Sequence, residues 1–312
     1  MVTRPLPEPW LAPLRDAGLE LDVADRDAPM APEALQARAP GAAALWVQLD
    51  DRVDAALLDA AGPSLRVVAT FSVGTDHVDL QAAAARGVRV ANTPDVLTDA
   101  TADQGWALLL AVARRLREGH ALVQRGEWDG WSPTRLLGTD LADRTLAIVG
   151  LGRIGTAMAH RGRAFGMRVA YHGPRPHPER AAELDARFEP DLDALVRSAD
   201  VLSLHAPLTP STRHLLDARR LALLPPHAIV VNVGRGSLID EPALVAALRE
   251  GRIGGAALDV FEHEPQVPAE LLAAPNVALA PHQGSATRAT RAAMAARCVD
   301  AILAALAEGG TA

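Results

Sequence analysis

The chain has 312 residues, enough for two domains with cores of their own, and its 49% apolar and 22% charged composition is that of an ordinary globular protein. With 31 Lys and Arg against 38 Asp and Glu, the formal net charge is −7 and no dense basic run occurs, which argues against nucleic acid as a partner. No apolar run is long enough to span a membrane and no secretory leader is recognisable, so a cytoplasmic protein with no membrane partner is expected.

Residues 1–97 alternate strand and helix patterns, the mark of a parallel α/β unit. Strands are expected at Val2–Arg4, Leu19–Val23, Ala43–Val47, Arg66–Thr70 and Val88–Ala91. After Thr70 comes Phe71-Ser-Val-Gly-Thr-Asp-His-Val-Asp79, a loop at a strand's C-terminal end, where open parallel sheets bind ligands. Asn92-Thr-Pro94 closes this unit as an extended turn. A long helix fits Ala100 to Arg117, with Trp106, Leu109, Leu110 and Val112 as its apolar stripe. Gln124 to Thr139 has little periodicity and reads as a loop or arm; tryptophans exposed there (Trp128, Trp131) would suggest a subunit contact.

From Thr145 an apolar run ends in Gly150-Leu-Gly-Arg-Ile-Gly155, and a helical pattern follows at once. That strand–turn–helix context is what a dinucleotide fingerprint requires. Gly150 permits the turn, Gly152 lets a pyrophosphate approach the backbone, and Gly155 lets the helix pack on its strand. Further strands are expected at Met167–Tyr171, Val201–His205, Ala228–Asn232, Gly255–Asp259 and Val277–Ala280, before a final helix from Ala286 to Ala307. Cys298, the single cysteine, lies in that helix's apolar pattern and reads as core rather than nucleophile.

Three segments at strand ends carry the chemistry: Asn232-Val-Gly-Arg-Gly-Ser237, Leu258-Asp-Val-Phe-Glu-His-Glu-Pro265 and Pro281-His-Gln-Gly-Ser-Ala-Thr287. Singly, Arg235 is readable as a solvated loop arginine, Glu264 as an exposed carboxylate and His282 as a polar turn residue. Together they set an arginine, a carboxylate and an imidazole on the strand-end edge of one nucleotide-binding sheet.

With these segments, and with Ser72-Val-Gly-Thr-Asp-His-Val-Asp79, Asn92-Thr-Pro-Asp-Val-Leu-Thr98, Ala100-Thr-Ala-Asp103 and His205-Ala-Pro-Leu-Thr-Pro210, the chain resembles the D-2-hydroxyacid dehydrogenase family. The resemblance is strongest to its glyoxylate/hydroxypyruvate reductase branch and runs from about Val2 to Ala304. It implies two doubly wound parallel-sheet domains, a flavodoxin-like substrate domain (1–97 plus 285–312) and a Rossmann cofactor domain (98–284), with the active site in the cleft between them. It further implies reduction of a small 2-oxo acid, glyoxylate or hydroxypyruvate foremost, to the D-2-hydroxy acid, in a homodimer and without a metal. In this pattern His282 is the general acid, Glu264 orients it, and Arg235 holds the substrate carboxylate and polarises the carbonyl. The backbone N–H groups of Val73 and Gly74 receive the carboxylate.

By the same resemblance the cofactor lies along Gly150, Leu151, Gly152, Arg153, Ile154 and Gly155. It also meets Thr101, Ala206, Pro207, Val233, Gly234, Arg235, His282 and Gly284, with Asp259 a cofactor contact or an anchor of its loop. An NAD-specific unit carries an acid about 20 residues past the fingerprint. Here the second strand runs into Tyr171-His-Gly-Pro-Arg175, with His172 at the acid's place. Missing that carboxylate, with Arg175 close by, the segment His172, Gly173, Pro174 and Arg175 points to NADP(H) over NAD(H), although His172 and Arg175 are also readable as solvated loop residues. Related readings are a D-lactate- or phosphoglycerate-type dehydrogenase, the latter weakened because no regulatory domain is expected after Ala312, and a dinucleotide-sensing scaffold.

Overall fold

The computed structural model describes residues 1–308, and the chain divides into two units: Met1–Leu97 together with the chain from Ala286 onward, and Thr98–Ser285. Ser285, placed in the first domain from sequence, belongs to the second unit.

The first unit contains α1 (Glu8–Asp16), α2 (Pro32–Arg38), β1 (Ala44–Val47), α3 (Ala55–Ala61), β2 (Val67–Thr70), α4 (Leu80–Ala85) and β3 (Arg89–Ala91), and the last helix of the chain, Arg288–Glu308, packs on β2 and α1. Helices α3 and α4 start where Asp54 and Asp79 accept the N–H groups of Leu57 and Ala82, satisfying donors that a helix start leaves free. The sheet is parallel in the order β1-β2-β3. Val2 extends it through single parallel bridges to Trp46 and Val23, so the spatial order of the five segments is 2-1-3-4-5, the flavodoxin-like arrangement.

The strands expected at Val2–Arg4 and Leu19–Val23 are thus reduced to isolated bridges. Val2 donates to Asp22 and Thr3 to Trp46, but Arg4 turns its guanidinium to Thr3 O and Asp50, and Pro5 has no N–H with which to continue the ladder.

The second unit holds α5 (Thr98–Ala113), α6 (Leu116–Gln124), β4 (Thr145–Val149), α7 (Arg153–Ala164), β5 (Arg168–His172), α8 (Pro178–Leu184), β6 (Ala186–Phe188), α9 (Leu192–Arg197) and β7 (Val201–Leu204). It continues with α10 (Ala218–Leu221), β8 (Ile229–Asn232), a 3-10 turn (Gly236–Leu238), α11 (Glu241–Arg249), β9 (Gly255–Leu258), α12 (Ala269–Leu272) and β10 (Val277–Leu279). Its seven parallel strands run β10-β9-β8-β7-β4-β5-β6, a doubly wound order that reverses between β4 and β7. Strands β7, β8 and β9 are buried along their whole length because helices cover both faces, which is why they read as short apolar runs without alternation. Each leucine buried in these cores, such as Leu146 or Leu202, contributes about 1.5–3 kcal/mol.

Helix α5 packs on α7, β8, β9 and β10, and Trp106 stacks on Phe165 at 4.6 Å between ring centroids. The helix ends at Ala113, short of the expected Arg117. Thr139 donates its N–H to the Ala113 carbonyl, which a continuing helix would need, and Arg115 takes a left-handed backbone (φ 51°) before α6. Strand β6, three residues at the sheet edge, has no counterpart in the sequence reading. Between α6 and β4 the chain has no regular element, and Trp128 and Trp131 are 60% and 84% exposed.

Cys298 is buried against β2, its Sγ 3.7 Å from the Thr70 carbonyl, and burial pushes its thiol up to about 12. Native protein at pH 8 is therefore expected to react negligibly with an aromatic disulfide reagent, and one thiol per chain should appear on addition of guanidinium. Rapid stoichiometric labelling of the native protein would contradict this placement.

Candidate active site

In the second unit the site grows from the C-terminal edge of the sheet. β4 runs into Gly150, whose φ of +95° and whose closeness to the end of β7 both exclude a side chain: a Cβ there would stand 2.8–2.9 Å from backbone atoms of His205 and Ala206. Gly155 abuts the Gly150 carbonyl, so α7 lies tight on its strand. Gly152 precedes α7 without offering a side-chain cap, and the space where its side chain would stand is open. The N–H groups of Ile154 and Gly155 have no acceptor among the described residues. A helix start with free donors and open space before it fits a dinucleotide pyrophosphate.

Strands β8 and β9 end in polar residues that turn back on their own loops. The Asn232 side chain accepts from Gly234 N at 3.0 Å and donates to Arg235 O at 2.8 Å, which orders Val233, Gly234 and Arg235. Arg235 donates from Nη1 to Gly234 O at 2.9 Å and is half-buried. Asp259, 1% exposed, accepts from Gln283 N at 3.0 Å, from Gly284 N at 2.7 Å and from the Gln104 side chain at 3.4 Å. Burial raises its carboxyl above the ordinary range, against the pull of these donors and of His282. It is an anchor of the loop that carries His282. Thr101 lies against Gly284 in the same corner.

His282 follows β10 with a left-handed backbone, φ 52°, maintained because its N–H bonds Asp259 O at 2.8 Å and Ala280 O at 3.1 Å. Its Nδ1 lies 2.8 Å from Glu264 Oε2, and Glu264 Oε1 accepts the Phe261 N–H at 2.9 Å. Burial presses the Glu264 carboxyl upward, but the imidazole, the Phe261 N–H and the Arg235 charge together hold it below the usual carboxylate range. Arg235, Glu264 and His282 are thus brought together, with Arg235 near enough to be felt at Glu264. With Nδ1 engaged, Nε2 is the nitrogen left to face a reacting atom.

The segment after β5 is less committed. His172 Nδ1 is bonded to Glu189 O at 3.0 Å, Gly173 and Pro174 carry no side-chain donor, and Arg175 is exposed. A residue absent from the sequence reading stands beside it: Arg180 of α8 donates to Leu151 O at 2.8 Å and so ties α8 to the glycine loop. Nothing in its spacing marks it out. Asn232 could have been suspected, since it opens the Arg235 segment. Ala206 and Pro207 follow β7 beside Gly150, and Thr212 holds the Pro207 carbonyl.

Val73 and Gly74 sit in the first unit, just past β2. Their carbonyls are tied down by Asn92 (2.7 Å) and Ser72 (2.6 Å), while their N–H groups donate to nothing among the described residues. Two adjacent free N–H groups on a braced loop suit a carboxylate. No group of metal-ligating side chains occurs among the described residues.

Residues 106–284 match the model of the D-isomer specific 2-hydroxyacid dehydrogenase NAD-binding domain. The chain is 46% identical to the glyoxylate reductase of Thermococcus onnurineus over 95% of its own length and 89% of the relative's, and 48% identical to that of Aeropyrum pernix over 91% and 86%. Among solved structures it is similar to a protein of Thermus thermophilus (TM-score 0.92, 49% identity, 98% and 96% of the two chains). It is also similar to the NADPH-dependent glyoxylate/hydroxypyruvate reductase of Sinorhizobium meliloti in complex with NADP and malonate (TM-score 0.87, 39%, 99% and 93%).

His205 gives the second unit a pH dependence. The residue is half-buried, its ring lies 2.8 Å from Ser203 Oγ, and burial lowers it from 6.5 to about 4. The unfolded chain then takes the proton first, so this ring leaves stability untouched above pH 6.5 and reduces it progressively as the pH falls toward about 4. The loss is of the order of 3 kcal/mol at most. Thermal midpoints of the parent should fall more steeply over that window than those of His205→Gln; parallel slopes would refute the assignment.

Proposed function

The chain belongs to the D-isomer specific 2-hydroxyacid dehydrogenase family, and on that premise we propose that it reduces a small 2-oxo acid, glyoxylate or hydroxypyruvate foremost, to the D-2-hydroxy acid with NADPH as preferred reductant. The observation that carries the reading is the Glu264–His282 contact at 2.8 Å beside Arg235, on the same sheet edge as the glycine turn. Bound reduced nicotinamide supplies the hydride. The protein's own residues supply the rest.

His282 holds its Nδ1 proton toward Glu264 and delivers the proton on Nε2 to the 2-oxo oxygen; in the reverse direction the same nitrogen takes it back. Glu264 fixes the tautomer and the plane of the ring. Arg235 presents a planar fork to the carboxylate and draws charge on the neighbouring carbonyl oxygen. Val73 and Gly74 take the carboxylate through their N–H groups. NADPH preference is supported by His172 and the absence of an acid from Gly173 to Arg175, with Arg175 and Arg180 as nearby cations. Residence in the cytoplasm fits the one buried, unpaired thiol and the lack, among the described residues, of any helix long and apolar enough to cross a membrane.

A panel of 2-oxo acids assayed with NADPH and NADH in parallel tests the whole reading. The parent should turn over glyoxylate or hydroxypyruvate with the higher kcat/KM on NADPH, and His282→Ala should lose about a thousandfold or more in kcat. Equal or better kcat/KM with NADH would overturn the cofactor preference alone. No turnover by the parent on any small 2-oxo acid would favour a nucleotide-sensing scaffold.

We also propose a homodimer formed through the arm that exposes Trp128 and Trp131, joined by Leu137 at 66% exposure. Sedimentation velocity at micromolar concentration should give one species of twice the chain mass, and Trp128→Ser with Trp131→Ser should shift it toward monomer. A monomeric parent would refute it.

A further inference from the structure

Next to the Glu264–His282 pair stands a set of ionisable side chains that the reaction does not use. Glu241 opens α11 and is 3% exposed, yet it is a carboxylate; its Oε1 accepts the backbone N–H of Glu262 at 2.7 Å. The Glu262 carboxylate, itself only 5% exposed, is bridged by Arg213 Nη2 at 2.6 Å and His214 Nε2 at 2.7 Å. His214 sits with a left-handed backbone (φ 49°) and donates its N–H to Ser237 O at 2.7 Å. Two residues on, Leu216 pairs with Ile239 as a parallel bridge. The short stretch 213–216 is therefore strapped both to the turn that follows Arg235 and to the loop that leads to Glu264. These two are also in direct contact, since Gly236 abuts the backbone of Phe261 and Glu262 so closely that any side chain at 236 would collide with it. Phe261 and Glu262 are the residues whose N–H groups are pinned, one by Glu264 itself and one by Glu241.

A carboxylate buried at this depth is unfavourable unless its hydrogen bonds require it. Burial raises the Glu241 carboxyl above its ordinary range, with Glu262 and Glu264 adding to the rise and the Glu262 N–H and His263 opposing it. Nothing in the hydride or proton transfer calls for Glu241 or Glu262, and α11 already has its N-cap in Asp240. What the pair does is hold the Glu262 peptide N–H and side chain in place, next to the Phe261 N–H that Glu264 itself pins.

We propose that Glu241, together with Glu262 bridged by Arg213 and His214, is a positioning set: it holds the 261–262 backbone so that Glu264 meets His282 and stays within reach of Arg235. The proposal rests on the role given above to His282. None of the four touches a reacting atom; they act through Glu264.

The test compares Glu241→Ala, which leaves the Glu262 N–H without its acceptor, with Glu241→Gln, which keeps an oxygen there. Displacements of this kind cost on the order of tenfold to a hundredfold in rate. Glu241→Ala should lose that much in kcat, with KM for the dinucleotide held within about twofold, because only the oriented acid is disturbed. The proton NMR signal of the hydrogen-bonded His282 Nδ1–H, assigned by its loss in His282→Ala, should move or broaden in Glu241→Ala. Glu241→Gln should restore both. A folded Glu241→Ala with parental kcat and an unmoved Nδ1–H signal would overturn the proposal.

Should Glu241→Ala fail to fold, Arg213→Gln combined with His214→Gln releases Glu262 from the partly exposed side. The same two readouts then decide. If the parent turned over no 2-oxo acid, the proposed function would fall, while the Nδ1–H comparison would still read the positioning set.

Discussion

The backbone of His282 is held by a residue that makes no hydrogen bond to its ring. Asp259 takes the N–H groups of the two residues after His282 into its side chain and the N–H of His282 itself into its carbonyl. A non-glycine residue in the left-handed region is stable only where its surroundings over-determine it, and here these hydrogen bonds to one residue do so. Asp259 in turn stands at the end of β9, beside Asn232 at the end of β8, and its N–H bonds the Asn232 carbonyl at 2.9 Å. The ladder of the sheet is carried one residue past β9 by this backbone bond, and the two polar side chains fold back on the loops that follow. The backbone position from which the imidazole projects is therefore inherited from sheet register, while Glu264 sets the plane of the ring.

The same edge explains why the glycine turn lies where it does. The strand order reverses between β4 and β7, so the helices that follow these strands leave toward opposite faces and open a gap at the strand ends. Gly150 stands in that gap against His205 and Ala206. A residue with a side chain would have to push the two strand ends apart, which the fixed register of β4 with β7 on one side and β5 on the other would resist. Close approach, more than turn geometry alone, demands glycine there.

Most of the second unit's core strands were legible in the sequence because each is a short apolar run with both faces covered, and the glycine turn because its meaning is local. The residues Arg235, Glu264 and His282 could be named because each sits in a short segment that follows such a strand. What escaped the reading depends on partners distant in sequence. The end of α5 is set by Thr139 capturing the Ala113 carbonyl from far along the chain, and no helix-stop residue announces it. The bridges at Val2 are too short for any periodicity. Arg180 and Glu241 look like ordinary first-turn helix charges, and only the contacts to Leu151 and Glu262 give them another meaning. Local patterns speak for strands and turns; the supports that hold a site in place are written in the tertiary contacts.

The first unit is assembled from two stretches separated by the second: its sheet lies in residues 1–97, while the helix Arg288–Glu308 that packs on β2 and α1 follows the second unit. During ribosomal synthesis the apolar surface of β2 and α1 must wait until the second unit and then the helix Arg288–Glu308 have emerged, whereas the second unit is continuous and complete before that helix. Maturation thus runs against the direction of translation, and the early-made strands are the ones that a nascent-chain chaperone would find uncovered.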